Sequence, residues 1–476
     1  MKKAVVVYAV VALSFAFSGA SRAGERSLED LGREMEALTL TISAQIKLLG
    51  IYEDLGKTEE AAATRERVLE LVASYRKLLD EVTERMGKEL PEKGTGGGRG
   101  GPGVKFRVDR EDLELPTEEE WEKASRGPVE RGVFLGLDWL ARHQSEGGFW
   151  DCDGFMKEDR KPPGSGGPGR PLYDPGVTGL ALLAFLEADQ THKHGPYRAV
   201  VGDGLRYLKQ IQDPEGCFGP RTSNHFIYGH AIATLAMCEA YEKTASPLFK
   251  QSAQSGIDFL HKCQNPYLAW RYGIRPGDND TSVTGWCVAA LRAGKRAGLR
   301  VDQATFDGAK AWLDKVTEPE YGRVGYTTRG SGPARPQDLM DKFPADKSES
   351  LTAEGICIRL AVGEDPKRSE MIHKGTDLVV KMLPAWNEQA GTIDMYYWFW
   401  GTRAMAALGG DVWRRWGEKV REAVLPNQRD DGGARGSWDP IGPWGREGGR
   451  IYSTALLTMV LETLEDHPVP ATRWGR

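Results

Sequence analysis

The sequence predicts an all-α protein: an (α/α)6 toroid of six helix pairs over residues 128–466, preceded by an N-terminal helical hairpin. Three observations lead there. A turn carrying a glutamine, a glycine four residues on and an aromatic two residues later reads QSEGGFW at 144–150, and it returns in altered form further along. Helix-forming segments come in pairs, and the pairs recur with a period near 50 residues, the mark of a repeat architecture. In each pair the first helix mixes apolar and charged residues and the second is apolar nearly all round, which suits an outer and an inner ring. An open solenoid would need polar end caps, and the last pair is as apolar as the rest.

The elements follow in chain order. Lys2 and Lys3, the apolar run Ala4 to Phe17 and the small-residue site Ser21-Arg22-Ala23 read as a secretory signal over 1–23, because the apolar run is too short for a membrane span. Export to the periplasm or exterior is expected, with an uncleaved N-terminal anchor as the alternative. Residues 28–87 read as a hairpin of two amphipathic helices, with Leu28, Leu31, Met35, Leu38, Ile42 and Ile46 on the first and Val68, Leu71, Tyr75, Leu78 and Val82 on the second. Steps of three and four hold each set on one face. The expected role is assembly, through a coiled coil or a protein partner. Residues 91–103 form a Gly-rich linker. No GK[ST] follows its glycines, so it is not a phosphate loop.

In the toroid, Gln212, Gly216 and Phe218 repeat the first turn, Gln264 and Trp270 repeat it with Leu268 in place of the glycine, and QRDDGG (428–433) is a partial copy. The expected job of the turn is structural: Gln bonds orphan carbonyls at the outer helix end, Gly takes positive φ, and the aromatic covers the turn. The inner helices align with Asp174, Asn224 and Asp280 each five positions before Gly179, Gly229 and Gly285. Weaker copies carry Gly355, Gly401 and Ser453 as markers.

Composition bounds the function. Acidic residues outnumber basic ones, 68 to 63, which gives no footprint for nucleic acid. Of the six cysteines, Cys238, Cys287 and Cys357 lie in apolar helical runs and read as buried thiols. Cys152, Cys217 and Cys263 lie near helix ends and leave one disulfide open. None forms a CxxC pair, so no metal and no cofactor are expected.

The Q-x3-G-x-W turn repeated around helix pairs resembles the prenyltransferase and squalene-cyclase repeat superfamily. The resemblance implies an α/α toroid of the terpene-cyclase kind and covers about residues 128–466. Within that superfamily, hopene-type cyclases protonate their substrate from an Asp-x-Asp-Asp-Thr motif. The nearest stretch here is GDNDTSV, 277–283. Aligned on Asp280-Thr281, the proton-donating position holds Asn279, which has no acidic proton to deliver; an off-register alignment with Asp278 as the substitute is the alternative. The zinc set of protein prenyltransferases and the thioester motif of complement-like proteins are missing from the sequence, and Asp151-Cys152-Asp153 does not fall where that zinc set would.

Candidate site residues follow from position. Asp174 and Asp280 precede apolar helices and are expected to cap them, with Asp394 capping a later one. Glu354 takes the slot of Thr178 and Thr284 on an otherwise apolar helix, where a carboxylate meets a partner or has a raised pKa. Asp280, Asp278 and Glu354 are the catalytic candidates. Asp174, His230, Trp286, Asp394, Tyr396, Tyr397, Trp400 and Tyr452 are the ligand-binding candidates; His230 also reads as a satisfied core histidine. The expected ligand is an isoprenoid or other apolar small molecule, bound without the usual acid. An active terpene cyclase, or a carbohydrate-active (α/α)6 enzyme with paired carboxylates, is the alternative.

Overall fold

In the computed structural model of the protein, the structure describes residues 34, 38, 41, 45, 48, 52, 57–89, 127–222 and 225–465. The signal at 1–23, the linker at 91–103 and Asn224 lie outside them. The chain divides into two compact units, one up to Phe106 and one from Arg107.

In the first unit, residues 34, 38, 41, 45, 48 and 52 are helical and α1 spans Thr58–Glu89. Ala61, Thr64, Val68, Leu71 and Leu78 form its buried stripe. Leu38 lines one crevice with Leu71 and Leu78, so the two helical segments face each other there.

The second unit is the toroid. Its outer helices are α2 (Pro128–Arg142), α4 (Arg198–Gln210), α6 (Pro247–Cys263), α8 (Gln303–Val316), α10 (Glu370–Val379) and α12 (Gly410–Val424). Its inner helices are α3 (Asp174–Glu187), α5 (Phe226–Thr244), α7 (Thr281–Arg296), α9 (Ser350–Ala361), α11 (Met395–Leu408) and α13 (Gly445–Leu464). Each inner helix packs on the next, and α13 packs on α3, which closes the ring. Every outer helix but α8, which packs on both its neighbours, lies mainly on the inner helix before it, so α2 lies on α13, the first helix against the last. Gly136 makes that seam possible: a Cβ there would overlap the Thr458 hydroxyl.

The recurring turn holds the outer ring together. Gln144 Nε2 donates to Gly148 O of its own turn (2.8 Å) and to Val200 O near the start of α4 (2.9 Å). Gln212 reaches Gly216 O and Ser252 O, and Gln264 reaches Leu268 O and Thr305 O, in the same way. Gln428 bonds Gly436 O and Gly132 O, which joins the end of the ring to its beginning. The glutamines therefore tie each turn to the next outer helix. The orphan carbonyl at the outer helix end is taken instead by the aromatic: Trp150, Trp270 and Trp438 donate Nε1–H to Leu140, Leu260 and Val424 carbonyls, 2.7 to 2.8 Å away.

The fourth copy is not QRDDGG but Gln428 to Trp438, with four extra residues before Gly436. Gly148, Gly216 and Gly436 have φ of 85°, 99° and 96°, the region glycine enters without strain. All six cysteines are buried free thiols, so the disulfide left open among Cys152, Cys217 and Cys263 is not formed.

Candidate functional site

Neighbouring inner helices run side by side from a shared rim: Tyr228 at the start of α5 meets Ser282 at the start of α7, and Glu354 on α9 meets Tyr396 on α11. The other rim is tied across the lumen. Arg403 near the end of α11 donates to Glu187 at the end of α3 (2.6 Å), with side chains 4% and 6% exposed. Its guanidinium also lies 4.2 Å from the Phe399 ring centroid, a favourable cation–π contact.

Aromatics fill the lumen between the rims. Trp286 of α7 stacks on Phe399 of α11 at 5.4 Å and meets Trp400 edge-on at 5.1 Å, with α9 standing between these helices in the ring. On the open side, Tyr228, Ser282, Tyr396 and Tyr452 are half-buried. Tyr397 and Trp398 point away. The Tyr397 hydroxyl donates to Val379 O and Met382 O beside α10, and Trp398 packs on Trp386. The four-aromatic run is thus split, with Tyr396 and Trp400 turned inward.

Glu354 is fully buried in this wall. The Tyr396 hydroxyl donates to both of its oxygens at 3.1 Å. A Cβ on Gly285 would overlap Glu354 Oε1, so Gly285 makes its space. Burial, with the charge of Asp280 adding to it, pushes the carboxyl well above the usual carboxylate range. Its slot differs from the expected one. The Thr178 and Thr284 hydroxyls accept the N–H of Trp150 and Trp270; in α9 that acceptor is Thr352 for Val324, and in α13 it is Thr454 for Trp438. Glu354 sits two residues later and faces inward. In α5 the acceptor is His230 Nδ1, 3.1 Å from Phe218 N, with Nε2 3.2 Å from Gly256 O. Both ring nitrogens are occupied, and burial pulls the pKa down to about 3. His230 is a neutral core histidine between turn and helix, away from the lumen.

The helix-start carboxylates divide. Asp280 caps α7 through Val283 N (2.8 Å) and also accepts from Ser282 Oγ (3.0 Å). Burial raises its pKa to about 6, against those bonds and the Arg271 charge. Asp394 caps α11 through Tyr397 N (3.0 Å) and accepts from Arg335 Nη2 (2.6 Å). Asp174 is the first residue of α3 rather than its cap. Tyr173 holds the cap position, and Asp174 Oδ1 accepts from Cys152 N (2.8 Å) outside the helix. Asp278 is exposed and paired with Arg271. Asn279 Oδ1 accepts from Ala269 N (2.9 Å) and Asn265 Nδ2 (3.0 Å). It braces the turn.

Asp151, Asp153 and Asp174 bring one oxygen each within 4.8 Å of one another. Lys157 sits on Asp151 at 2.9 Å. Burial, then the charges of Asp151 and Asp153, push Asp174 to about 7. A carboxyl whose folded pKa lies above its unfolded value favours the folded state most below pH about 4, and loses that contribution as pH climbs through 7. Asp174→Asn keeps the acceptor for Cys152 and removes the titration. Its Tm is expected to match the parent at pH 4 and to exceed it at pH 8, by roughly 2–4 °C per kcal/mol regained. Calorimetry at both pH values checks this, and parallel profiles would refute it.

Sequence comparison gives the same architecture a relative. Over 178 residues, 34% of this chain, the protein is 27% identical to squalene–hopene cyclase of Bradyrhizobium diazoefficiens. The resemblance is to a terpene cyclase. The chain matches only 26% of that enzyme's length. No family model matches. Among solved structures, an α-1,6-mannanase of Salegentibacter sp., in complex with α-1,6-mannotriose, has a TM-score of 0.49 at 11% identity, covering 71% of this chain and 98% of that one. A type II terpene cyclase from Scytonema, solved with geranylgeranyl dihydroxybenzoate, has a TM-score of 0.46 at 14% identity, covering 71% and 97%. Among the described residues, no helix is long and apolar enough to cross a membrane.

Proposed function

We propose that this is an exported protein whose toroid binds an isoprenoid or similar apolar ligand in the open half of the lumen, without acid-initiated cyclisation from the usual aspartate position. The carrying observation is the aromatic floor. Trp286, Phe399 and Trp400 meet across the ring beneath half-buried Tyr228, Tyr396 and Tyr452. Aromatic walls favour an apolar guest, and the Tyr396 hydroxyl partners the Glu354 carboxyl within them. Asn279 supports the absence of the usual acid, since its amide is committed to the turn. The helical segments of residues 28–87 serve assembly or a protein partner.

A second reading has a specific observation behind it. Asp280 and Glu354 are two carboxyls with raised pKa, the property a general acid requires. Titrating the protein with geranylgeraniol while following tryptophan emission tests the first reading. Saturable quenching is expected, lost in Trp286→Ala with helicity retained. Quenching by mannotriose and not by geranylgeraniol would overturn it. Turnover of an isoprenoid abolished by Glu354→Gln would establish the second.

A further inference from the structure

Beside the aromatic floor, at the same rim, two buried polar atoms without a hydrogen-bond partner stand between α7 and the loop before it. Asp280 is 0% exposed, and its Oδ2 accepts no hydrogen bond. Arg271 Nε is buried and donates none. The two atoms are 3.7 Å apart. That is too far for a direct bond, and it is the span one oxygen closes when it sits about 2.8 Å from each. Such an oxygen has to accept from Nε–H and donate to a carboxylate, which a hydroxyl does.

The walls carry further hydroxyls and rings. The Tyr228 hydroxyl lies 2.6 Å from Ser282 Oγ, which itself donates to Asp280 Oδ1. The Tyr272 and Tyr326 hydroxyls bond each other. The Arg271 guanidinium lies 5.2 Å and 5.8 Å from their ring centroids, and His225 meets Tyr272 edge-on at 4.2 Å. Tyr228, Tyr272, Tyr326, Ser282 and His225 are all half-buried. Arg271 is shared between Asp280 and exposed Asp278. Two carboxylates against one guanidinium repel a diphosphate or carboxylate head. Aromatic faces with paired donors and acceptors suit a ring that bears hydroxyls.

We propose that the gap between Asp280 Oδ2 and Arg271 Nε, walled by Tyr228, Tyr272 and Tyr326, is a subsite for the neutral polyhydroxyl head of an amphiphile whose apolar part lies in the lumen. The inference rests on the lumen reading above and adds the class of the ligand's polar end. One ligand hydroxyl bridges the two buried atoms, and a neighbouring hydroxyl reaches the Tyr228–Ser282 pair.

Calorimetric titration of the full chain with geranyl β-glucoside, geraniol and geranyl diphosphate tests it. The glucoside is expected to bind at least tenfold more tightly than geraniol, with the diphosphate weakest. In Arg271→Met and in Tyr228→Phe the advantage of the glucoside over geraniol closes. Equal affinities for glucoside and geraniol, a tightest diphosphate, or an advantage untouched by Arg271→Met would overturn the subsite and leave the lumen reading standing; in that case the gap holds a structural water. Failure of all three probes to bind would remove both.

Discussion

Arg335→Ala is expected to cost about 3–5 kcal/mol, the scale for breaking a buried ion pair from one side. Arg335 and Asp394 have side chains 3% and 4% exposed, 2.6 Å apart. The same guanidinium donates to Phe343 O and Ala334 O, so it also fixes the long loop between α8 and α9. Removing it leaves the Asp394 charge buried at the cap of α11. Arg335→Lys recovers only part, because an ammonium cannot reproduce the planar fork. Adding Asp394→Asn to Arg335→Ala recovers more, since asparagine still caps Tyr397 N and carries no charge. Urea unfolding of the three variants checks the order. A loss below about 1 kcal/mol in Arg335→Ala would mean the pair is not buried in solution.

Trp438→Ala is expected to cost about 3–5 kcal/mol, the range for emptying a large aromatic site. Trp438 is 0% exposed and gives up a 2.8 Å bond to Val424 O at the end of α12. Its turn is the seam of the ring, where Gln428 reaches Gly132. Trp150→Ala removes an equivalent bond to Leu140 O within a turn whose neighbours are continuous in sequence. The seam joins residues nearly 300 positions apart, so its loss is expected to expose α2 to hydrogen exchange first. Exchange measured by mass spectrometry on both variants tests this: α2 and α13 protected as well in Trp438→Ala as in Trp150→Ala would contradict closure through that turn.

Much of this was legible in the sequence. The turn glutamines, the alternation of mixed and apolar helices and the caps at Asp280 and Asp394 follow from local spacing, because each contact spans a few residues or one repeat. The shifts came where a copy changed length. Four residues inserted after Gln428 hid Trp438 behind QRDDGG. Matching Gly355 to Gly285 placed Glu354 in the threonine slot, where Thr352 stands.

The site was less legible. Glu354 stands out in sequence as a carboxylate on an apolar helix, and Tyr396 as one of a run of aromatics, but nothing local says they meet. Tyr272 and Tyr326 stand two residues after the equivalent positions Trp270 and Val324, one repeat apart, but the turn ending at Val324 is too degenerate in sequence to show the match, and nothing local joins Arg271 to Asp280. Arg403 and Glu187 are 216 residues apart, and their pairing is a consequence of α11 and α3 facing across the lumen. Asp151, Asp153 and Asp174 gather because the first turn folds back onto the start of α3, through the bond from Cys152 N to Asp174.

The most direct test of the central claim is native mass spectrometry of the purified protein, followed by analysis of its organic extract. The aromatic lumen predicts a bound apolar molecule of isoprenoid type, released on unfolding and absent from Trp286→Ala. An empty parent protein that also fails to take up geranylgeraniol would contradict it.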